Sequence, residues 1–198
     1  MTGTRRRGDE LEATILDAAW AEIMENGYPR LTMEGVAARA RTGKQVIYRR
    51  WPDRAQLAIA AIRHTLGPLV SEVPRTGSLR GDLRSLLLRM ADRGRQYRPD
   101  LFYGLLAEAP ESDTGFGTVM PGVIRAILEN AVARGELAHA DLPSRVVSLP
   151  ADLLRYEALR NAPRWGQVAG EGEIEQLLSE ILDDVFLPLV LALAGPET

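Results

Sequence analysis

A single lysine among 198 residues, Lys44, follows Gly43 and precedes Gln45 in a run whose other basic side chains are all arginine. An ammonium and a carboxamide at the first turn of a short helix suit duplex DNA. The lysine can meet a guanine edge or a groove phosphate, and the glutamine can donate and accept at adenine. From Tyr28 to Arg54 there are seven basic residues (Arg30, Arg39, Arg41, Lys44, Arg49, Arg50, Arg54) against two acidic ones (Glu34, Asp53). Tyr48, Arg49, Arg50 and Arg54 suit phosphate better than bases, because they follow the helix start, and phosphate contacts position the helix while base contacts specify sequence. Thr32, capping an earlier helix, adds free backbone N–H groups that attract an anion without a charge of their own. Solvated polar groups at a helix start are the competing account of any one of these residues, but the complete pattern favours contact with duplex DNA.

The elements that position this set follow from apolar spacing and caps. Leu11, Ile15, Ala18, Ala19 and Ile23 predict a first helix over 9–26, with Asp9 and Glu12 placed for its N-terminal cap and Gly27 as its stop. Thr32 caps a second helix over 33–40, whose inward face is Met33, Val36, Ala37 and Ala40. Thr42-Gly43-Lys44-Gln45 has capping-box spacing and predicts a third helix two or three residues later, which makes a helix-turn-helix. Val46 and Ile47 face the small core, Trp51 covers it, and Asp53 to Gln56 repeats the capping arrangement ahead of a fourth helix through Leu66. Arg5, Arg6 and Arg7 precede the first helix as a flexible basic arm, for which a groove contact and a solubilising tail both stand open. Beyond Pro68, helices are expected at about 79–96, 99–108, 118–134, 151–161 and 171–193, with no alternating strand pattern.

The run LTMEGVAARARTGKQVIYRRWPDRAQL resembles the N-terminal signature of the TetR/AcrR family of bacterial transcriptional regulators. The likeness covers residues 9–60: a Thr-capped helix, a Gly-Lys-x-x-x-Tyr recognition helix and an aromatic-Pro-x-Arg junction. It implies an all-helical homodimer whose heads bind DNA and whose last two helices pair across the two-fold axis. By this resemblance Thr32, Thr42, Lys44, Gln45, Tyr48, Arg49 and Arg54 match residues that meet DNA. Arg41 stands where the family commonly has a turn glycine and Thr42 where it often has valine, so Arg41 is expected to add a phosphate contact. Arg134-Gly135-Glu136-Leu137 resembles a helix-end motif of the family's bodies.

The fold class expected is therefore all-α, with a helix-turn-helix DNA-binding head over residues 1–56 and a larger helical regulatory and dimerisation body over 57–198. Charge supports the division: residues 1–63 hold 11 Arg or Lys and 8 Asp or Glu, net +3, and residues 64–198 hold 13 and 19, net −6. A basic face on an acidic body meets a polyanion in one orientation. The full DNA-facing set expected is Thr32, Arg41, Thr42, Gly43, Lys44, Gln45, Tyr48, Arg49, Arg50 and Arg54. Met90, Tyr97, Phe102, Tyr103, Leu106, Met120, Ile124, Tyr156 and Trp165 are the candidate lining for a neutral, hydrophobic or aromatic effector, with ordinary core packing as the rival for each. Leu153, Leu154, Leu177, Leu178, Ile181, Leu182, Val185 and Phe186 are the candidate dimer face.

The absence of cysteine excludes disulfides, thiolate catalysis and cysteine-ligated metal sites. His64 and His139, the only histidines, lie 75 positions apart without ligand-spaced partners, so neither a metal, a cofactor nor histidine-based enzyme chemistry is expected. No secretory signal or membrane span is expected, which places the protein in the cytoplasm. The partners expected are double-stranded operator DNA, a second copy of the chain and a small-molecule effector of unknown identity. The function read is a dimeric repressor released from a palindromic operator, with an activator of the same binding mode and a nonspecific architectural DNA binder as alternatives.

Overall fold

The computed structural model describes residues 3–67, 72–96, 98–108, 119–160 and 171–195, and every regular element among them is helical. The chain forms two compact units, residues 1–68 with 98–114, and residues 69–97 with 115–198. The expected boundary at 56/57 differs from this division, because the fourth helix packs on the first and stays with the head.

In the first unit α1 spans Gly3–Asn26, six residues earlier than its apolar spacing implied. The backbone at Arg5, Arg6 and Arg7 is therefore helical and not an extended arm. Ile15, Ala19 and Ile23 are fully buried on its inner face. Gly27 ends it at φ 84, a left-handed value favoured by glycine, and a 3-10 turn Tyr28–Arg30 follows. Helix α2 spans Met33–Arg39, α3 spans Lys44–Tyr48 and α4 spans Arg54–Leu66. Helix α6, Pro99–Glu108, packs on the 3-10 turn of this unit.

Two caps fall where spacing put them. Thr32 Oγ1 accepts from Gly35 N–H at 3.0 Å, and Asp53 Oδ1 accepts from Gln56 N–H at 2.8 Å. Two did not: α1 starts at Gly3 and runs through Asp9 and Glu12, and Gly43, not Thr42, is the N-cap of α3, with no side chain capping that helix. Thr42 is occupied in closing α2, where its N–H bonds Ala37 O at 2.9 Å while Arg41 N–H bonds Ala38 O at 3.2 Å. This pair of bonds is a Schellman closure, and it puts Arg41 at φ 52 in the left-handed region.

The second unit holds α5 (Leu79–Arg95), α7 (Val119–Ala133), α8 (Ser144–Arg160), α9 (Glu171–Ser179), a π-helical stretch (Glu180–Phe186) and α10 (Leu187–Ala194). Its core unites Leu83, Leu86 and Leu87 of α5 with Ile124, Ile127 and Leu128 of α7, Val147 of α8, and Leu182 and Phe186 of the π stretch. Helix α8 begins seven residues before its expected start and carries Pro150, which is buried, inside it. The π stretch precedes Pro188, which has no N–H to give to the carbonyl four residues back; Leu187 N–H instead bonds Leu182 O, five residues back.

The Arg-Gly-Glu-Leu motif has a definite job in this unit. Gly135 closes α7, and Glu136 accepts from Leu79 N–H at the start of α5 at 2.8 Å. Arg134 spans Glu136 Oε1 at 2.6 Å and the fully buried Asp82 at 3.2 Å. Asp82 Oδ1 also accepts from the Thr76 hydroxyl at 2.8 Å, while its buried Oδ2 faces Arg134 at 3.2 Å without a hydrogen bond. Among the described residues no helix is long and apolar enough to cross a membrane.

Candidate nucleic-acid interface

Helix α3 has five residues and only Ile47 fully buried, so neighbours must hold it. An isolated helix of that length does not persist in water. Ile47 and Trp51, the latter 8% exposed, anchor it, and Val46 is half-buried. Gly43, Lys44, Gln45, Tyr48 and Arg49 remain exposed along its outer side, with Arg41 exposed in the preceding turn. A β-carbon at Gly43 would meet nothing within 4 Å, so internal packing does not require glycine there. Thr32 and Glu34 beside the start of α2 are also exposed, while Met33 is buried.

The basic residues divide by their partners. Arg41 and Arg49 form no ion pair among the described residues. Lys44 Nζ lies 3.7 Å from Glu34, both well exposed, a separation at which water and salt leave little attraction. Arg50 Nε is 3.2 Å from Glu12 of α1. Arg39 is turned onto α1 by Glu22 at 2.9 Å and by Glu25, and the Glu25 hydrogen bond first raises its pKa.

Arg54 is the most heavily engaged. Its guanidinium takes the Glu108 carboxylate of α6 in a fork, with Nε to Oε2 at 2.9 Å, and donates to Pro29 O at 3.3 Å and Leu31 O at 3.4 Å. It also lies over the Tyr28 ring, 5.0 Å from the centroid. Tyr28 donates its hydroxyl to Glu108 Oε2 at 2.8 Å. Burial, then the Glu108 hydrogen bond, pushes the Tyr28 phenol well up, while the Arg54 hydrogen bond holds the Glu108 carboxyl below its ordinary range. Gly104 of α6 makes the approach possible, because a β-carbon there would overlap the Tyr28 ring.

Two family models match. One described as "Bacterial regulatory proteins, tetR family" covers residues 15–61, and one described as "Tetracyclin repressor-like, C-terminal domain" covers residues 73–180. A protein of Mycobacteroides abscessus named "DNA-binding transcriptional repressor TetR" is 31% identical over 192 residues, 93% of this chain and 96% of its own. The chain belongs to the TetR family. Two solved structures share the fold at TM-score 0.62: a TetR family regulator from Pseudomonas syringae pv. tomato, 21% identical over all of both chains, and the "Flavonoid-responsive Regulator FrrA", 19% identical over 96% of this chain and 100% of that one. The all-α TetR architecture and a sequence-specific DNA-binding regulator follow.

The TetR body does not gather every residue named for an effector. Met90, Met120 and Ile124 lie together in the packed core of the second unit. Tyr156 is 60% exposed on α8, and Tyr103 is 48% exposed on α6. Tyr97, Trp165 and the side chains of Phe102 and Leu106 lie outside the described residues. Of the dimer candidates, Leu154, Leu178, Ile181, Leu182 and Phe186 are buried in that unit's own core, Leu153 and Leu177 are half-buried, and Val185 is exposed. Leu191 and Leu193, beyond the candidate set, are exposed as well.

Spacing did not reveal the carboxylates that engage the basic face. Glu108 lies 54 positions from Arg54, and Glu12, Glu22 and Glu25 sit on α1. No local signal links residues so far apart.

Proposed function

We propose that the protein is a dimeric repressor that seats two α3 helices in successive major grooves of an inverted repeat, about 34–36 Å apart. The observation that carries this reading is the exposed first turn of α3, Lys44 and Gln45, set between Arg41 and Arg49. Lys44 and Gln45 read base edges, while Thr32, Arg41, Thr42, Tyr48, Arg49, Arg50 and Arg54 meet phosphates and Gly43 lets the backbone come close. The name of the relative from Mycobacteroides abscessus supports repression over activation. Val185, Leu191 and Leu193, the exposed apolar side chains of the π stretch and α10, form the two-fold contact.

A neutral aromatic compound is the effector class, in keeping with the name of the flavonoid-responsive regulator of the same fold. It releases DNA only if its affinity differs between the DNA-competent and released arrangements.

Selection of bound fragments from a random duplex library tests the reading. A single palindrome is expected, and Lys44→Ala and Gln45→Ala should each lose about 1–3 kcal/mol of discrimination at one position of each half-site. Diffuse, salt-sensitive binding without a motif would favour the architectural alternative, and unchanged preference in both variants would remove these residues from base reading.

A further inference from the structure

The carboxylates around the basic face are not equivalent. The Lys44–Glu34 pair is long and solvated, both side chains being 62% exposed, and phosphate displaces such a partner at little cost. The Arg54–Glu108 pair is a two-point fork, buttressed by the Tyr28 hydroxyl and by two backbone carbonyls on the same guanidinium. Forked guanidinium–carboxylate pairs are strong and directional. The Arg54 guanidinium therefore already has partners, although Arg54 opens α4 six residues after Tyr48, the last residue of α3. A carboxylate held in a guanidinium fork presents the same two-oxygen face as a phosphate.

We propose that Glu108 is an internal competitor of DNA phosphate for Arg54: binding the duplex exchanges the carboxylate at the end of α6 for a phosphate at the start of α4. This deepens the repressor reading and rests on it. The side chain of Glu108 thereby sets operator affinity without touching DNA. By linkage the effect is reciprocal, since DNA weakens the hold of the head on the last turn of α6 by the same factor that this hold weakens DNA. Arg39 offers a contrast. Its two glutamates are on α1, so its pairing braces α1 against α2 and does not bear on Arg54.

The test is a double-mutant cycle on the full chain, with dissociation constants measured on the selected palindromic duplex and on a scrambled duplex over a range of salt. Glu108→Gln keeps the shape and the Tyr28 hydrogen bond and removes the charge. It should tighten both duplexes by about 3–10-fold, with an unchanged salt slope. Arg54→Met keeps an unbranched side chain and removes the guanidinium, should weaken both duplexes and should lower the salt slope by about one. In the Arg54→Met background Glu108→Gln should gain little. Thermal unfolding of each variant separates lost folding from lost binding. Equal tightening by Glu108→Gln in both backgrounds would reduce its effect to general charge repulsion and overturn the exchange, as would no tightening at all. A wild-type chain without sequence preference would remove the regulator reading itself.

Discussion

Arg41 bears the cost of a position that favours glycine. Its left-handed backbone closes α2, and a non-glycine residue pays about 1 kcal/mol or more there. Nothing among the described residues pairs with its side chain, so the internal structure offers no return for that strain. A phosphate contact would. Arg41→Gly should stabilise the fold by roughly 0.5–1 kcal/mol in urea unfolding, yet lower the salt slope of duplex binding by about one. A stabilised variant with an unchanged slope would leave Arg41 outside the interface.

At the scale of elements, the head depends on mutual support. A five-residue α3 keeps its place through Ile47 and Trp51 and through packing on α2, which with α4 packs against α1. In the second unit the corresponding device is the Arg134–Asp82–Glu136 clamp, which joins the end of α7 to the start of α5. Asp82 is completely buried beside the Arg134 guanidinium. Asp82→Asn should cost about 1–3 kcal/mol in urea unfolding, because Arg134 and the Thr76 hydroxyl lose their charged acceptor. An unchanged midpoint would show that the clamp contributes shape and not energy. Arg80 and Arg84 add paired bonds from α5 to Asp183 of the π stretch and to Glu175 of α9. They tie the end of the chain to the centre of the bundle.

For the whole molecule, the decisive quantity is the area left apolar and uncovered. Val185 is 43% exposed, Leu191 51% and Leu193 45%, within the ten residues before Gly195. In the proposed dimer this face meets its copy. Val185→Asp with Leu191→Asp should raise the dimer dissociation constant by about 100-fold in sedimentation, because charge in a buried contact is costly. Folding of the monomer should survive, since neither side chain belongs to the core. A dimer of undiminished stability would place the two-fold contact elsewhere.

Much of the fold, and the exposure of the candidate residues around α3, was legible in the chain itself. Helix periods, the Thr32 and Asp53 caps, the short turn before Lys44 and the family signature are all local, built from residues a few positions apart whose hydrogen bonds close within one turn. The body helices at 79–95, 99–108 and 119–133 fell within a residue or two of their expected bounds for the same reason. Thr42 was misread as a cap because its backbone N–H is used to close α2, a choice that depends on how the turn after Ala40 folds. The start of α8 was placed at 151 because local propensity disfavours Pro150 inside a helix, while its burial keeps it within α8. Which arginines carry carboxylates, which leucines are core and which lie bare, and that Arg54 is held by a residue 54 positions away were decided only by the tertiary structure. Ion pairs and burial depend on the path of the whole chain, and no short window of sequence contains that path.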